Sequence, residues 1–207
     1  QALATDSGQG QPFLAQVAEV VLAHFRHVYR ELLENHDFIL RVIRLEEERF
    51  GRTFEQGSAI LRGLVKLRKF AVPLLEEAKT DPHVAGSLVA SLSASASIGD
   101  DAEEGTGVDL AVNMLGQNLA EVDGEQRSRL LDDWSRRVSG AETFVLADTY
   151  GFPPELTAEI AREHGLDVDM EGFQQEMESQ RERARAAQAF SGSMEVVTAY
   201  EGLEGEP

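Results

Sequence analysis

His24 and His27 stand three residues apart, a spacing that puts two imidazoles on one helix face, but no further ligands accompany them as a metal would require. They read as two ordinary helix-surface histidines. The carboxylate pairs Asp100-Asp101 and Asp132-Asp133 have the residue types of general acid–base work. In a helical chain this acidic they read as surface charge. There is no cysteine, no Gly-rich phosphate loop, no G-x-S-x-G and no H-E-x-x-H, so each common motif that carries a catalytic mechanism is missing. No catalytic residue and no metal ligand is expected.

The bulk properties bound the remaining possibilities. At 207 residues with 42% hydrophobic and 27% charged side chains, the chain is long enough for a sizeable core and excludes a mostly disordered one. Its net charge of −18 is the wrong sign for binding nucleic acid through the whole surface. The charge is uneven: residues 1–70 hold 10 basic and 9 acidic side chains, residues 71–140 hold 5 and 13. A polyanion would therefore meet the first third first. No apolar run approaches the ~20 residues of a membrane span, and the absence of disulfide chemistry leans toward a reducing, cytoplasmic setting. The start, Gln1 to Asp6, has neither a basic n-region nor an initiator Met and reads as an internal start, not a signal peptide.

The elements are helical. Pro12 with Phe13, Leu14, Val17, Val21, Phe25, Val28 and Leu32 predicts one amphipathic helix over 12–35. Asp37 is placed to cap a second, which keeps its period to about residue 78, with Pro73 expected to kink or end it. The two suggest a long antiparallel helix hairpin, 12–78. Glu46-Glu47-Glu48 reads as a solvated face. Residues 79–138 read as a self-contained acidic helical insertion, with a small-residue helix after Asp81-Pro82, an acidic loop over Gly99–Gly107 that should be mobile, and helices over 108–122 and 125–138. Ser139-x-x-Glu142 is a capping box, Pro153-Pro154 opens a helix ending at Gly165, and Asp169 caps a last one to about Phe190, whose end is the basic stretch Arg181, Arg183, Arg185. Residues 139–190 thus form a helical block. Only Met194–Tyr200 has strand character, so the fold class is an all-α helical bundle with a short β segment at the C-terminus.

Two stretches go further. Ala147-Asp148-Thr149-Tyr150-Gly151-Phe152-Pro153-Pro154-Glu155-Leu156-Thr157, continuing through Ile160–Leu166, Val168-Asp169, Gly172-Phe173, Met177 and Gln180–Arg185, resembles alanyl-tRNA synthetases just after their catalytic domain. Glu46–Gly57 is similar to the helix of the same family that carries an acidic pair, a Phe, a Thr and a Gly in this spacing. The resemblance covers about residues 12–69 and 139–190. It departs from the family over 79–138, which matches nothing there. Residues 191–207 look like the start of a linker to a β-barrel and an editing domain.

The resemblance implies a ligase, an aminoacyl-tRNA synthetase of class II that joins alanine to tRNA(Ala) using ATP with Mg, with a zinc in its editing domain. The adenylate-forming motifs and the editing metal site are expected outside residues 1–207, so this stretch alone is expected to hold no cofactor and to be inactive. What it implies here is the domain that binds the tRNA acceptor stem and reads a G·U wobble pair, with the catalytic and editing domains as neighbours and neither DNA nor membrane as partner. A-form RNA offers its wide minor groove, where the guanine 2-amino group of a G·U pair lacks a base partner, and an ionised carboxylate is an acceptor-only group suited to it. The family's Asp in that role carries over to Asp148; Arg181 and Arg185 are the accompanying phosphate-contact candidates, although Arg181, Arg183 and Arg185, spaced by two, do not all share a helix face. The rival reading is an acidic helical protein-interaction module with no nucleic-acid role; a helix-turn-helix regulator is disfavoured because no short helix pair carries a basic recognition face.

Overall fold

A computed structural model describes residues 13–94, 99–120, 122 and 124–201. Among them the helices are α1 (Leu14–Phe25), α2 (Glu31–Glu34), α3 (His36–Thr80), α4 (Pro82–Ser93), α5 (Ala102–Ala120), α6 (Gly124–Arg136), α7 (Gly140–Asp148), α8 (Pro154–Glu163) and α9 (Met170–Glu201), with two-residue strands β1 (Arg137–Val138) and β2 (Asp167–Val168). The class is all-α, as the helical periodicities require. The chain divides into two units, Gln1–Gln56 and Gly57–Pro207.

In the first unit the expected single helix over 12–35 is interrupted: α1 stops at Phe25 and α2 is one turn long. The run His27-Val28-Tyr29 between them is of weak helix formers, and nothing there offsets that. Glu47 is not simply a solvated charge. Its carboxylate accepts the backbone N–H of Phe13 at 2.7 Å and that of Leu14 at 3.1 and 3.2 Å, satisfying orphan donors at the start of α1 and placing an anion on the positive end of its dipole. That bond ties the start of α1 to α3 within the unit.

The second unit holds the main core. Ile60, Leu61, Leu64, Leu67, Ala71 and Leu75 of α3 pack with Leu88 and Leu92 of α4, Val108, Ala111 and Leu115 of α5, Leu131 of α6, Leu146 of α7 and Phe152. Pro73 does not end α3, which continues to Thr80; a single missing N–H is outweighed by apolar contacts on both sides of it. Among the described residues, the segment read as an insertion contributes side chains of α4, α5 and α6 to this shared core.

The acidic loop expected over 99–107 is instead largely helix. Asp101 Oδ1 accepts the N–H of Glu104 at 2.8 Å and caps α5, which starts at Ala102. Glu104 is buried, because Lys66 Nζ donates to it at 2.6 Å, Arg62 Nε at 3.0 Å and the N–H of Asp100 at 2.9 Å. Gly63 and Gly107 let α3 and α5 cross backbone to backbone: a Cβ on either would meet the carbonyl oxygen of Glu104 or Ile60. The strand expected at Met194–Tyr200 is also not formed; those residues continue α9. A strand needs a partner edge, whereas a helix closes its own hydrogen bonds.

Candidate nucleic-acid interface

Two caps start the helices that carry the candidate residues. Ser139 and Glu142 form the capping box of α7: Glu142 Oε2 accepts the N–H of Ser139 at 2.8 Å, and the Ser139 hydroxyl oxygen accepts the N–H of Glu142 at 3.2 Å. Asp169 Oδ1 accepts the N–H of Gly172 at 3.0 Å at the start of α9. The parallel pairing of β1 with β2, Arg137 opposite Asp167 and Val138 opposite Val168, sets these two starts side by side. That pairing is invisible in the sequence, being only two residues long on each side.

From there α7 and α9 advance in step. Gly140 lies so close to Gly172 and Phe173 that a Cβ on Gly140 would strike their backbone. Eight residues further along each helix, Gln180 Nε2 donates to Asp148 Oδ1 at 2.9 Å. Both contacts join residues 32 apart in sequence, which is what two parallel helices with equal rise require.

Asp148 is the last residue of α7 and is exposed. The chain then turns at Gly151, whose φ of 67° favours glycine, and the N–H of Phe152 donates to the carbonyl of Leu146 at 2.9 Å. Phe152 is fully buried and packs on Gly57, where a Cβ would overlap its ring. Gly57, the last residue of the upstream stretch singled out in the sequence, therefore meets the downstream one here. Tyr150 is half-buried against the same core, consistent with turn packing.

Arg181 and Arg185 are both exposed and share one face, since each has a guanidinium nitrogen 3.5 Å from a carboxylate oxygen of Glu178. Arg183 lies apart, its Nε donating to the Ser179 carbonyl. Asp148 and Gln180 are thus brought together, while Arg181 and Arg185 gather around Glu178.

At the start of α7 lies a buried charge pair that sequence reasoning missed. Arg68 of α3 is 1% exposed and its Nη2 donates to Glu142 Oε2 at 2.6 Å. Its Nε donates to the carbonyls of Trp134 and Arg137 at 2.9 and 3.2 Å, and its guanidinium lies 4.7 Å from the Trp134 ring centroid. Arg68 so ties α3 to α6, β1 and the cap of α7. A basic residue inside a helix gives no sequence signal of such burial, although Glu142 in the capping box marks one end.

An open cleft of about 430 Å³ is lined by Arg129, Asp132, Asp133, Arg136, Arg137 and Asp167. Its charges answer one another, Arg137 lying 3.6 Å from Asp133 and Asp132 accepting from Lys79 at 2.6 Å, so it offers no concentrated anion site. Among the described residues no group of three or more His, Asp or Glu could hold a metal ion, and no helix is long and apolar enough to cross a membrane.

Known sequences align with the chain over these same blocks. The family model described as tRNA synthetases class II (A) matches residues 3–78 and 116–205, so of the segment 79–138 expected to match nothing in the family only 79–115, with α4 and most of α5, is passed over, while 116–138 falls inside the match. The alanine–tRNA ligases of Staphylococcus saprophyticus and Bacillus subtilis (strain 168) are each 32% identical to it over 186 residues, and that of Bacillus thuringiensis (strain 97-27) 34% over 186 residues. Each match takes in 90% of this chain and 14% of the relative, so the chain spans about 14% of the length of these curated relatives. No solved structure matches it. With four fifths of its residues inside the family match, the chain belongs to the alanyl-tRNA synthetase family, the tRNA synthetases of class II (A).

Proposed function

We propose that this chain recognises the acceptor stem of tRNA(Ala) through its G·U wobble pair and so supports the ATP-dependent alanylation of tRNA(Ala). The observation that carries the reading is Asp148: an exposed carboxylate at the tip of α7, inside the block shared with the alanine–tRNA ligases, held by a neutral amide. One oxygen is engaged by Gln180, and the remaining lone pairs face no cation in any ion pair among the described residues. Such a group accepts a hydrogen bond from an unpaired guanine 2-amino group in the minor groove. Arg181 and Arg185, on one face a short way along α9, supply phosphate contacts that position the stem without reading it. ATP, Mg and an editing-domain zinc belong to the whole synthetase in this reading.

The test is the charging of tRNA(Ala) carrying a G·U or a G·C pair by the enzyme that contains this chain. Asp148→Ala should remove about 1–3 kcal/mol of discrimination, the worth of a good base-edge contact. A variant that keeps the wild-type ratio would make Asp148 a helix-end residue and nothing more.

A further inference from the structure

We infer that Gln180 is a specificity-determining positioning residue, which aims the Asp148 carboxylate and leaves its second oxygen for an unpaired N–H donor; the inference rests on the reading of Asp148 given above. An exposed aspartate has several open χ1 rotamers, and its place in the last turn of α7 faces the negative end of the helix dipole. Neither favours a fixed acceptor. The amide of Gln180 fixes the carboxylate by donating to Oδ1 at 2.9 Å from a different helix. That donor reaches because the close backbone contact of Gly140 with Gly172 and Phe173 keeps α7 and α9 in step over the eight residues that follow.

The identity of the donor matters as much as its position. A lysine or arginine here would neutralise the carboxylate, occupy it with a charge-assisted bond and draw phosphate toward it. The cations that are present are held elsewhere: Glu178 lies between Arg181 and Arg185, 3.5 Å from each. A neutral amide orients Asp148 while leaving its charge and its second oxygen for the ligand, and Gln180 itself is only half-buried, so it does little for the core.

The experiment measures kcat/KM for alanylation of G·U and G·C forms of tRNA(Ala), in the enzyme that contains this chain, for wild type, Gln180→Met, Gln180→Glu, Asp148→Ala and the Gln180→Met, Asp148→Ala double variant. Methionine keeps the length and helix propensity of glutamine without its donor; glutamate keeps its shape and sets a like charge against Asp148. Gln180→Met should lower the G·U preference about 2- to 12-fold, the effect of one hydrogen bond, and Gln180→Glu should lower it at least as far, with the salt dependence of binding unchanged in both. In the Asp148→Ala background Gln180→Met should have no further effect, because it acts through that carboxylate. A Gln180→Met enzyme with wild-type preference, or one whose effect adds fully to that of Asp148→Ala, overturns the inference while leaving Asp148 its role. An Asp148→Ala enzyme that retains the preference overturns the underlying reading, and this inference with it.

Discussion

At the scale of single residues, the groups that matter most are those whose charge is held by neighbours from another helix. Glu104 has its carboxyl pushed down to about 2 from the ordinary 4.5, first by the hydrogen bond from Lys66 and then, against the cost of its burial, by the N–H of Asp100 and the Arg62 guanidinium. A depressed carboxyl pKa stabilises the fold above the unfolded value and loses that contribution as protons bind to the folded state. Wild type should therefore exceed Glu104→Gln in stability by about 1.5–3 kcal/mol near neutral pH, the worth of hydrogen bonds to a charged group. The gap should close as pH falls from about 4.5 toward about 2. Urea midpoints of the two proteins across that range check it, and a gap that does not change with pH would mean that Glu104 contributes by shape alone. Lys66 is raised, first by its hydrogen bond to the Asp100 carboxylate and then by that to Glu104, so its share is lost only at high alkalinity, outside this window.

At the scale of elements, capping chemistry was legible except at α3, which starts at His36 and so holds Asp37 inside its first turn instead of before it, and pairing between elements was not. Ser139 with Glu142, Asp81 before Pro82, Asp169 before α9 and Gly165 after α8 each act where the local rules put them, because a cap is decided by residues three or four apart. The start of α5 was misread for the opposite reason. Glu104 looks like loop acid until Lys66 and Arg62, some forty residues earlier, are brought against it. Asp148 was reached through family resemblance, yet Gln180 was seen only as part of a matched string, since its partner depends on α7 and α9 running in register. That register makes a prediction. Gly140→Ala would set a methyl against the backbone of Gly172 and Phe173, neither of which can rotate away. The expected cost is about 1–3 kcal/mol, as for other overpacked contacts, together with loss of the Asp148–Gln180 bond. Thermal unfolding reads the first and the Gln180 side-chain amide resonances read the second. A variant as stable as wild type with unshifted amide signals would show that the helices need no such closeness.

At the scale of the whole molecule, a net charge of −18 opposes any polyanion, so the way RNA affinity responds to salt is itself informative. Many cations of the second unit already serve carboxylates: Arg62 and Lys66 serve Glu104, Arg68 serves Glu142, Lys79 serves Asp132 and Arg129 serves Glu125. If Arg181 and Arg185 make the phosphate contacts, about two counterions are released on binding, a slope of log affinity against log salt of roughly −1.4 to −1.8. Between about 50 and 200 mM salt that is a loss of about tenfold, against about 10³–10⁵ for an interface touching six to ten phosphates. Fluorescence anisotropy of labelled tRNA(Ala) should show this shallow dependence, and alanine at both Arg181 and Arg185 should flatten it further while leaving the G·U to G·C ratio in place. A steep slope that survives both substitutions would move the phosphate contacts to the first third of the chain, where Arg41, Arg44, Arg49 and Arg52 are all exposed on α3. In that case Asp148 would still select the base pair, but the grip on the stem would lie with the near-neutral end of the chain and not with α9.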